Sequence, residues 1–226
     1  NGEVYNHLEL RHRLKQLGYR FRSDCDTETV LYAFEEWGID CITRFKGQFA
    51  FAVWDGRTQT MYLARDRVGL QPMYFYSKDG LVIFGSEIRS ILRHPAVEAE
   101  INFGTMYQFL VMHAPAPPFT VLKSIYAVPA GAYVSCRAGE MPRLQRYWTL
   151  LDEVGKHDFT GRTELQIADQ LRETLMEAVR RRMMSDRPVG LFLSGGVDST
   201  SLLACMAALG FRDVKSFSIG YADEQT

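Results

Sequence analysis

The sequence has few cysteines, and the four present are scattered. Cys25, Cys41, Cys136 and Cys205 form no CxxC pair and have no histidine at ligand spacing, which argues against a zinc site. No apolar run approaches the roughly 18 residues that a membrane span requires, and no signal peptide is visible. Reduced thiols and a cytoplasmic location are the expectation. An excess of either charge is also missing. With 26 Lys+Arg against 27 Asp+Glu, the formal net charge is -1, so neither nucleic acid nor membrane is expected as a partner. The short Arg180-Arg181-Arg182 cluster reads as a solvated helix face. Repeats and low-complexity tracts are absent. A starting Met is missing too: the chain opens at Asn1 and stops at Thr226 soon after a strand-like segment, which reads as an internal piece of a longer protein. What remains is an ordinary globular composition, 46% hydrophobic and 23% charged over 226 residues, enough to bury a real core.

Hydrophobic spacing organises that core. Asn6-His7-Leu8-Glu9 looks like a capping box ahead of Leu10, Leu14 and Leu17, with Gly18 ending the helix. Val30, Phe34 and Trp37 form a second helical stripe, capped by Asp26 or Thr27 and closed by Gly38. From there to about residue 136 the pattern changes to short antiparallel strands. Phe49 to Trp54 is apolar on both faces, as in a strand covered on both sides. Met61 to Ala64, Met73 to Tyr76 and Leu81 to Phe84 follow, with turns at Asp55-Gly56 and Asp79-Gly80. The proline-rich stretch 113–118 reads as an ordered loop. A domain over 1–148 and a polar linker over 149–162 are expected.

A second domain is expected over 163–226. Thr163-Glu164-Leu165-Gln166 is a capping box, and Ala168, Leu171, Leu175 and Ala178 line the helix it opens, which Pro188 stops. The apolar strand Val189 to Leu193 leads into Ser194-Gly195-Gly196-Val197-Asp198-Ser199. A helix over 200–209 and a strand over 214–219 complete a βαβ unit of a doubly wound α/β sheet. A glycine-rich turn between strand and helix aims backbone N–H groups at one point, and the helix dipole favours an anion there. Gly195 and Gly196 allow close approach by phosphate, Ser194 and Ser199 add hydroxyls, and Asp198 is suited to the magnesium that accompanies a nucleotide. The plainer reading is an αβ turn capped by Asp198. The GxxxxGK[ST] loop of phosphoryl-transferring proteins is absent.

The SGGVDS string resembles the pyrophosphate loop of the N-type ATP pyrophosphatases, and Val189 to Thr200 is most similar to the asparagine synthetase family. That resemblance implies ATP with Mg2+ as cofactor, held by Leu193, Ser194, Gly195, Gly196, Val197, Asp198, Ser199 and Ile219, with Leu193 and Ile219 against the adenine. The N-terminal half resembles the glutaminase domain of the same family, an α+β N-terminal-nucleophile fold of layered sheets. Asn1-Gly2-Glu3-Val4-Tyr5-Asn6 matches its NGEIYN motif, Asp26-Thr27-Glu28 its SD(T/C)E segment, Arg65 to Tyr74 its RDxxGxxPLY signature and Gly85-Ser86-Glu87 its (A/G)SE segment.

By this resemblance Asn1 and Gly2 form an oxyanion hole, while Glu3 and Asp26 hold the α-ammonium of glutamine. Each residue also has a plainer reading: Asn6 and Asp26 as helix caps, Arg65-Asp66 as a structural ion pair. The family's nucleophile, a cysteine at the mature N-terminus, has no counterpart in the chain, and Cys25 and Cys41 read as structural. The expected chemistry is glutamine-fed amide synthesis on ATP-activated aspartate, with glutamine, aspartate and ATP as partners and no activity from this piece alone. A homodimer of the full-length protein is compatible with this. Amidation of another carboxylate, in cell-surface polysaccharide or peptide pathways, is the alternative, and a non-catalytic nucleotide-binding homologue is a third.

Overall fold

The computed structural model describes residues 1–156, 158–185 and 187–220. The chain divides into two compact units, Asn1–Val154 and Gly155–Thr226. Residues 221–226, the end of the expected second domain, lie outside the described residues.

The first unit runs β1 (Gly2–Val4), α1 (His7–Gln16), α2 (Asp26–Trp37), a 3-10 segment (Gly38–Arg44), β2 (Gly47–Asp55), β3 (Thr60–Arg65), β4 (Tyr74–Lys78), β5 (Leu81–Gly85), α3 (Ile88–Ile91), α4 (Phe103–Met112), β6 (Ile125–Ala127), β7 (Ala132–Arg137) and β8 (Arg143–Arg146). Two antiparallel sheets result, ordered β1-β2-β3-β7-β8 and β5-β4-β6. Because successive strand residues face opposite sides, adjacent buried pairs serve different layers. Phe49 and Ala64 join Leu10 and Leu14 of α1 and Ala33 and Phe34 of α2. Ala50 and Leu63 join Met73, Phe75 and Val134 between the two sheets. Tyr76 and Ile125 pack on Ile91 of α3. The layered α+β arrangement expected from the sequence is the one observed. Fully burying a side chain such as Leu14 or Leu63 stabilises each interlayer by about 1.5–3 kcal/mol.

Several local expectations are corrected. Asn6 precedes α1 but makes no side-chain cap. Its amide instead donates to the Arg44 carbonyl (3.0 Å) and accepts from the Lys46 N–H (2.8 Å), bridging two chain segments. Asp26 and Thr27 lie inside α2, whose N-cap position is Cys25. The doubly covered strand is doubly covered only near Phe49 and Ala50, since Trp54 at its far end is 56% exposed. Asp79-Gly80 is a two-residue hairpin with both residues at positive φ, as read. The β2–β3 connection is longer, spanning 56–59, and places Gln59 at positive φ. Between residues 86 and 112 the strand reading fails, whereas 113–118 is irregular as read. Phe103–Met112 is a helix capped by the Asn102 side chain (3.3 Å to the Thr105 N–H), and it exposes Phe103, Tyr107, Leu110 and Met112. An outward apolar face hides helical periodicity, which is legible only as contrast with polar residues.

The second unit contains α5 (Glu164–Arg182), β9 (Gly190–Phe192), α6 (Val197–Ala208) and β10 (Lys215–Phe217). The capping box at Thr163 forms in both directions with Gln166. α5 ends at Arg182, well before Pro188, so proline is not its terminator. β9 and β10 pair in parallel, Leu191 opposite Ser216, with α6 connecting them. α6 begins at Val197 rather than at Thr200, drawing half of the glycine-rich string into its first turn. Val179, Leu191, Cys205 and Met206 form the core that α5, α6 and the strands share.

Candidate functional sites

In the first unit the candidate site lies along the open edge of β1. The Asn1 backbone nitrogen donates to the Ala50 carbonyl (3.0 Å) and the Ala50 N–H returns a bond to the Asn1 carbonyl (2.9 Å). Gly2 stands opposite Phe49 in the next position of the register. Both peptide groups of Phe49 are committed to Asp66: its carbonyl accepts from the Asp66 N–H (2.8 Å) and its N–H donates to Oδ2 (3.3 Å). Antiparallel pairs alternate between bonded and non-bonded, so the Gly2 N–H points away from β2, off the sheet. Val4 has the same phase, and its N–H donates to Asp26 Oδ2 at 2.9 Å. The Asp26 carboxylate therefore sits on the edge that carries the Gly2 N–H, about 7 Å further along the strand. Asn1, Gly2, Glu3 and Asp26 are brought together.

Gly2 is required there by its backbone. Its φ is +102°, and a Cβ would stand 2.0 Å from the Gln48 carbonyl oxygen and 2.9 Å from Gln71 Cγ. Asn1 and Gly2 are exposed, Glu3 and Asp26 half-buried.

Two residues that sequence reasoning left without a role hold Asp26 in place. Arg11, buried on the inner face of α1, donates to Asp24 Oδ1 (3.0 Å) and to the Cys25 carbonyl (3.1 Å), and its guanidinium lies 4.5 Å from the centre of the Phe21 ring. Glu28 accepts from the N–H groups of Arg22 and Ser23 (2.8 Å each) and from the Ser23 hydroxyl (2.7 Å). Those bonds, the Ser23 hydroxyl first, hold its carboxyl below the usual range. An arginine next to Leu10 on a core-facing stripe was the available signal for Arg11.

The ion-pair reading of Arg65 and Asp66 is corrected as well. Arg65 donates to three carbonyls, of Gln71 (2.6 Å), Val128 (2.8 Å) and Gly69 (2.7 Å), and Asp66 accepts backbone N–H groups. The Tyr147 hydroxyl donates to the Arg65 carbonyl (2.8 Å), and burial pushes that hydroxyl's pKa up. Glu87 pairs with Arg89 at the surface. All four cysteines are free. Burial pushes the Cys41 thiol up to about 12 and that of Cys136 to about 11, which keeps both protonated and unreactive at neutral pH.

In the second unit the glycine-rich string bridges β9 and α6. Gly195 takes φ +80° and Gly196 is the N-cap position. The Ser199 hydroxyl organises the turn: it lies 3.3 Å from the Ser194 N–H and 3.2 Å from both the Ser194 hydroxyl and the Gly196 carbonyl. The free N–H groups of the first turn of α6, from Val197 onward, form the positive end of the helix. Leu193 donates its N–H to the Phe217 carbonyl (2.8 Å), and the Ser218 hydroxyl donates to the Leu193 carbonyl (2.6 Å). Leu193 and Ile219 thus flank the loop at the carboxyl ends of the parallel strands, where ligands bind in sheets of this type. Asp198 is exposed in the first turn. Among the described residues no group of three or more His, Cys, Asp or Glu converges. A magnesium at Asp198 would draw its other ligands from water and phosphate oxygens. Among the described residues no helix is long and apolar enough to cross a membrane.

Residues 1–148 match the family described as "Glutamine amidotransferase domain", and residues 170–226 the one described as "Asparagine synthase". The chain is 36% identical over 230 residues to asparagine synthetase [glutamine-hydrolyzing] 3 of Bacillus subtilis, covering 99% of this chain and 36% of that protein. It is 30% identical over 226 residues to asparagine synthetase [glutamine-hydrolyzing] 1 of the same organism, covering 99% and 34%. A third relative, amidase chyE of Penicillium rubens, is 31% identical over 214 residues, covering 92% and 30%. The chain spans about a third of the length of these curated relatives.

Proposed function

Since the chain belongs to the glutamine-hydrolysing asparagine synthetase family of glutamine amidotransferases, we propose that its first unit binds glutamine for hydrolysis and its second binds ATP for amide synthesis. The observation that carries this reading is the common edge of β1, where the Gly2 N–H and the Asp26 carboxylate face the same side. A glutamine laid along that edge would meet an anion for its α-ammonium and a donor for the oxyanion formed at its side-chain carbonyl. In this reading a thiolate, supplied in the family by a cysteine upstream of the Asn1-Gly2-Glu3 motif, attacks that carbonyl. The C–N bond breaks, ammonia leaves, and water then cleaves the thioester to glutamate. Asn1 and Gly2 hold the negative charge at each tetrahedral stage, and Glu3 with Asp26 holds the substrate in register.

In the second unit, Ser194 to Ser199 would hold the phosphates of ATP with Mg2+ at Asp198, and Leu193 and Ile219 would bracket the adenine. A carboxylate oxygen of aspartate displaces pyrophosphate from the α-phosphorus. Ammonia then displaces AMP from the acyl carbon, giving asparagine. The fit of the site to phosphate rests on the positive φ of Gly195 and the free amides of α6.

A second reading is transfer of ammonia to a carboxylate other than that of aspartate, since one relative of comparable identity is named an amidase rather than an asparagine synthetase. The polypeptide carrying this chain, incubated with glutamine, ATP, Mg2+ and aspartate, is expected to yield equal amounts of AMP, pyrophosphate and asparagine. Aspartate-independent AMP formation with another acid would favour the second reading. Failure to release glutamate from glutamine would overturn both.

A further inference from the structure

β2 extends past the end of β3 by Gly47, Gln48 and Phe49, so that Phe49 has no β3 residue beside it where the chain turns away after Arg65. Asp66 fills the gap. Its N–H serves the Phe49 carbonyl and its Oδ2 accepts the Phe49 N–H. The same carboxylate accepts from Val68 (3.1 Å) and Leu70 (3.0 Å) through Oδ1 and from Gln71 (3.0 Å) through Oδ2. Asp66 is 0% exposed, and it spends its acceptor capacity on these four backbone donors.

Two consequences reach Gly2. With both peptide groups of Phe49 held on the β3 side, neither can bond to Gly2, and the Gly2 N–H stays turned to the open edge. The turn that Asp66 closes also lays Gln71 on Gly2, with Gln71 Cγ 2.9 Å from the place a Cβ would occupy. We propose that Asp66 is a positioning residue: it contacts no substrate, and it fixes the direction of the Gly2 N–H by clamping Phe49 and Gln71. The carboxylate is needed because an amide in its place would present an NH2 group to N–H donors.

The role at the oxyanion rests on the glutaminase reading above, but the effect on the Gly2 amide does not. The test is 15N NMR of the polypeptide carrying this chain, unliganded and titrated with L-glutamine, for wild type, Asp66→Asn and Gln71→Ala. In the unliganded Asp66→Asn chain the Gly2 amide resonance should move and its solvent exchange should change at least threefold, while the Leu63 and Val134 signals keep their folded positions. Glutamine affinity should fall at least tenfold. Gln71→Ala, a change at a half-buried side chain, should shift the same amide to a smaller degree and covers the case in which Asp66→Asn does not fold. An unchanged Gly2 amide in either folded variant overturns the proposal. A wild-type chain whose Gly2 amide ignores glutamine overturns the glutaminase reading, and the unliganded Gly2 amides of the variants still decide the role of Asp66.

Discussion

The Val4 N–H and the Asp26 carboxylate are joined by a 2.9 Å hydrogen bond, which ties the first residue of α2 to the edge strand β1. One oxygen of Asp26 is thereby committed to the fold, and the other faces Thr27 Oγ1 at 3.4 Å. The same side chain holds the strand and offers charge beside it.

Replacing Asp26 should therefore lower both stability and ligand affinity. Asp26→Ala removes a charge-assisted acceptor and is expected to destabilise the first unit by about 1.5–3 kcal/mol. Glutamine binding by calorimetry should weaken at least tenfold. Asp26→Asn keeps an oxygen for Val4, so it should recover most of the stability and little of the affinity. Full recovery of both would remove Asp26 from the site.

Gly2→Ala meets a backbone obstacle rather than a chemical one. The φ of +102° and the 2.0 Å approach to the Gln48 carbonyl force β1 to leave its register. A loss of about 1–3 kcal/mol is expected in chemical denaturation, with the β1 amides losing protection first. An alanine variant as stable as wild type, with β1 protected, would contradict this geometry.

Cys41 gives a pH dependence with a definite sign. Its thiol is ordinarily near 9.0 and is raised to about 12 by burial, first of all, and by Asp40. The folded protein keeps the proton that the unfolded chain releases. Stability is therefore undiminished below pH 9 and falls as pH rises toward 12, with a limiting slope of about 1.4 kcal/mol per pH unit. Thermal melts from pH 8 to 10.5 should show the fall, and Cys41→Ala should flatten its share of it.

Gly195→Ala separates binding from folding in the second unit. Nothing lies within 4 Å of the added methyl, so only the positive φ is strained, at a cost of about 1–2 kcal/mol. Affinity for ATP with Mg2+, and for pyrophosphate alone, should fall about tenfold or more as the loop relaxes and the methyl meets the phosphate. Unchanged pyrophosphate affinity would place the anion elsewhere.

What the sequence revealed depended on periodicity against a polar background. Leu10 and Leu14, Phe49 to Ala50, Asp79-Gly80 and the Thr163 box all carried a local signal that the structure repeats. α4 carried none, because its apolar residues face outward. Roles that depend on chain crossings were equally invisible. Asn6 reaches Arg44 and Lys46, Asp66 reaches Phe49, and Arg11 reaches Asp24 and Cys25. Asn6 looked like a local cap and Asp66 like half of an ion pair, while Arg11 carried no reading at all. The motif residues Asn1, Gly2, Glu3 and Asp26 were visible as a resemblance, but their common strand edge emerged only from the register of β1 on β2.

α4 has one more consequence. Its ten residues include no charged side chain, and Phe103, Tyr107, Leu110 and Met112 stand in solvent. The formal net charge of the chain is only -1, so little electrostatic repulsion keeps copies apart. Handling of the isolated chain will be governed by this face. Its colloidal limit should respond to salt weakly and to a single Leu110→Glu exchange strongly, although neither change touches a residue proposed to bind glutamine or ATP.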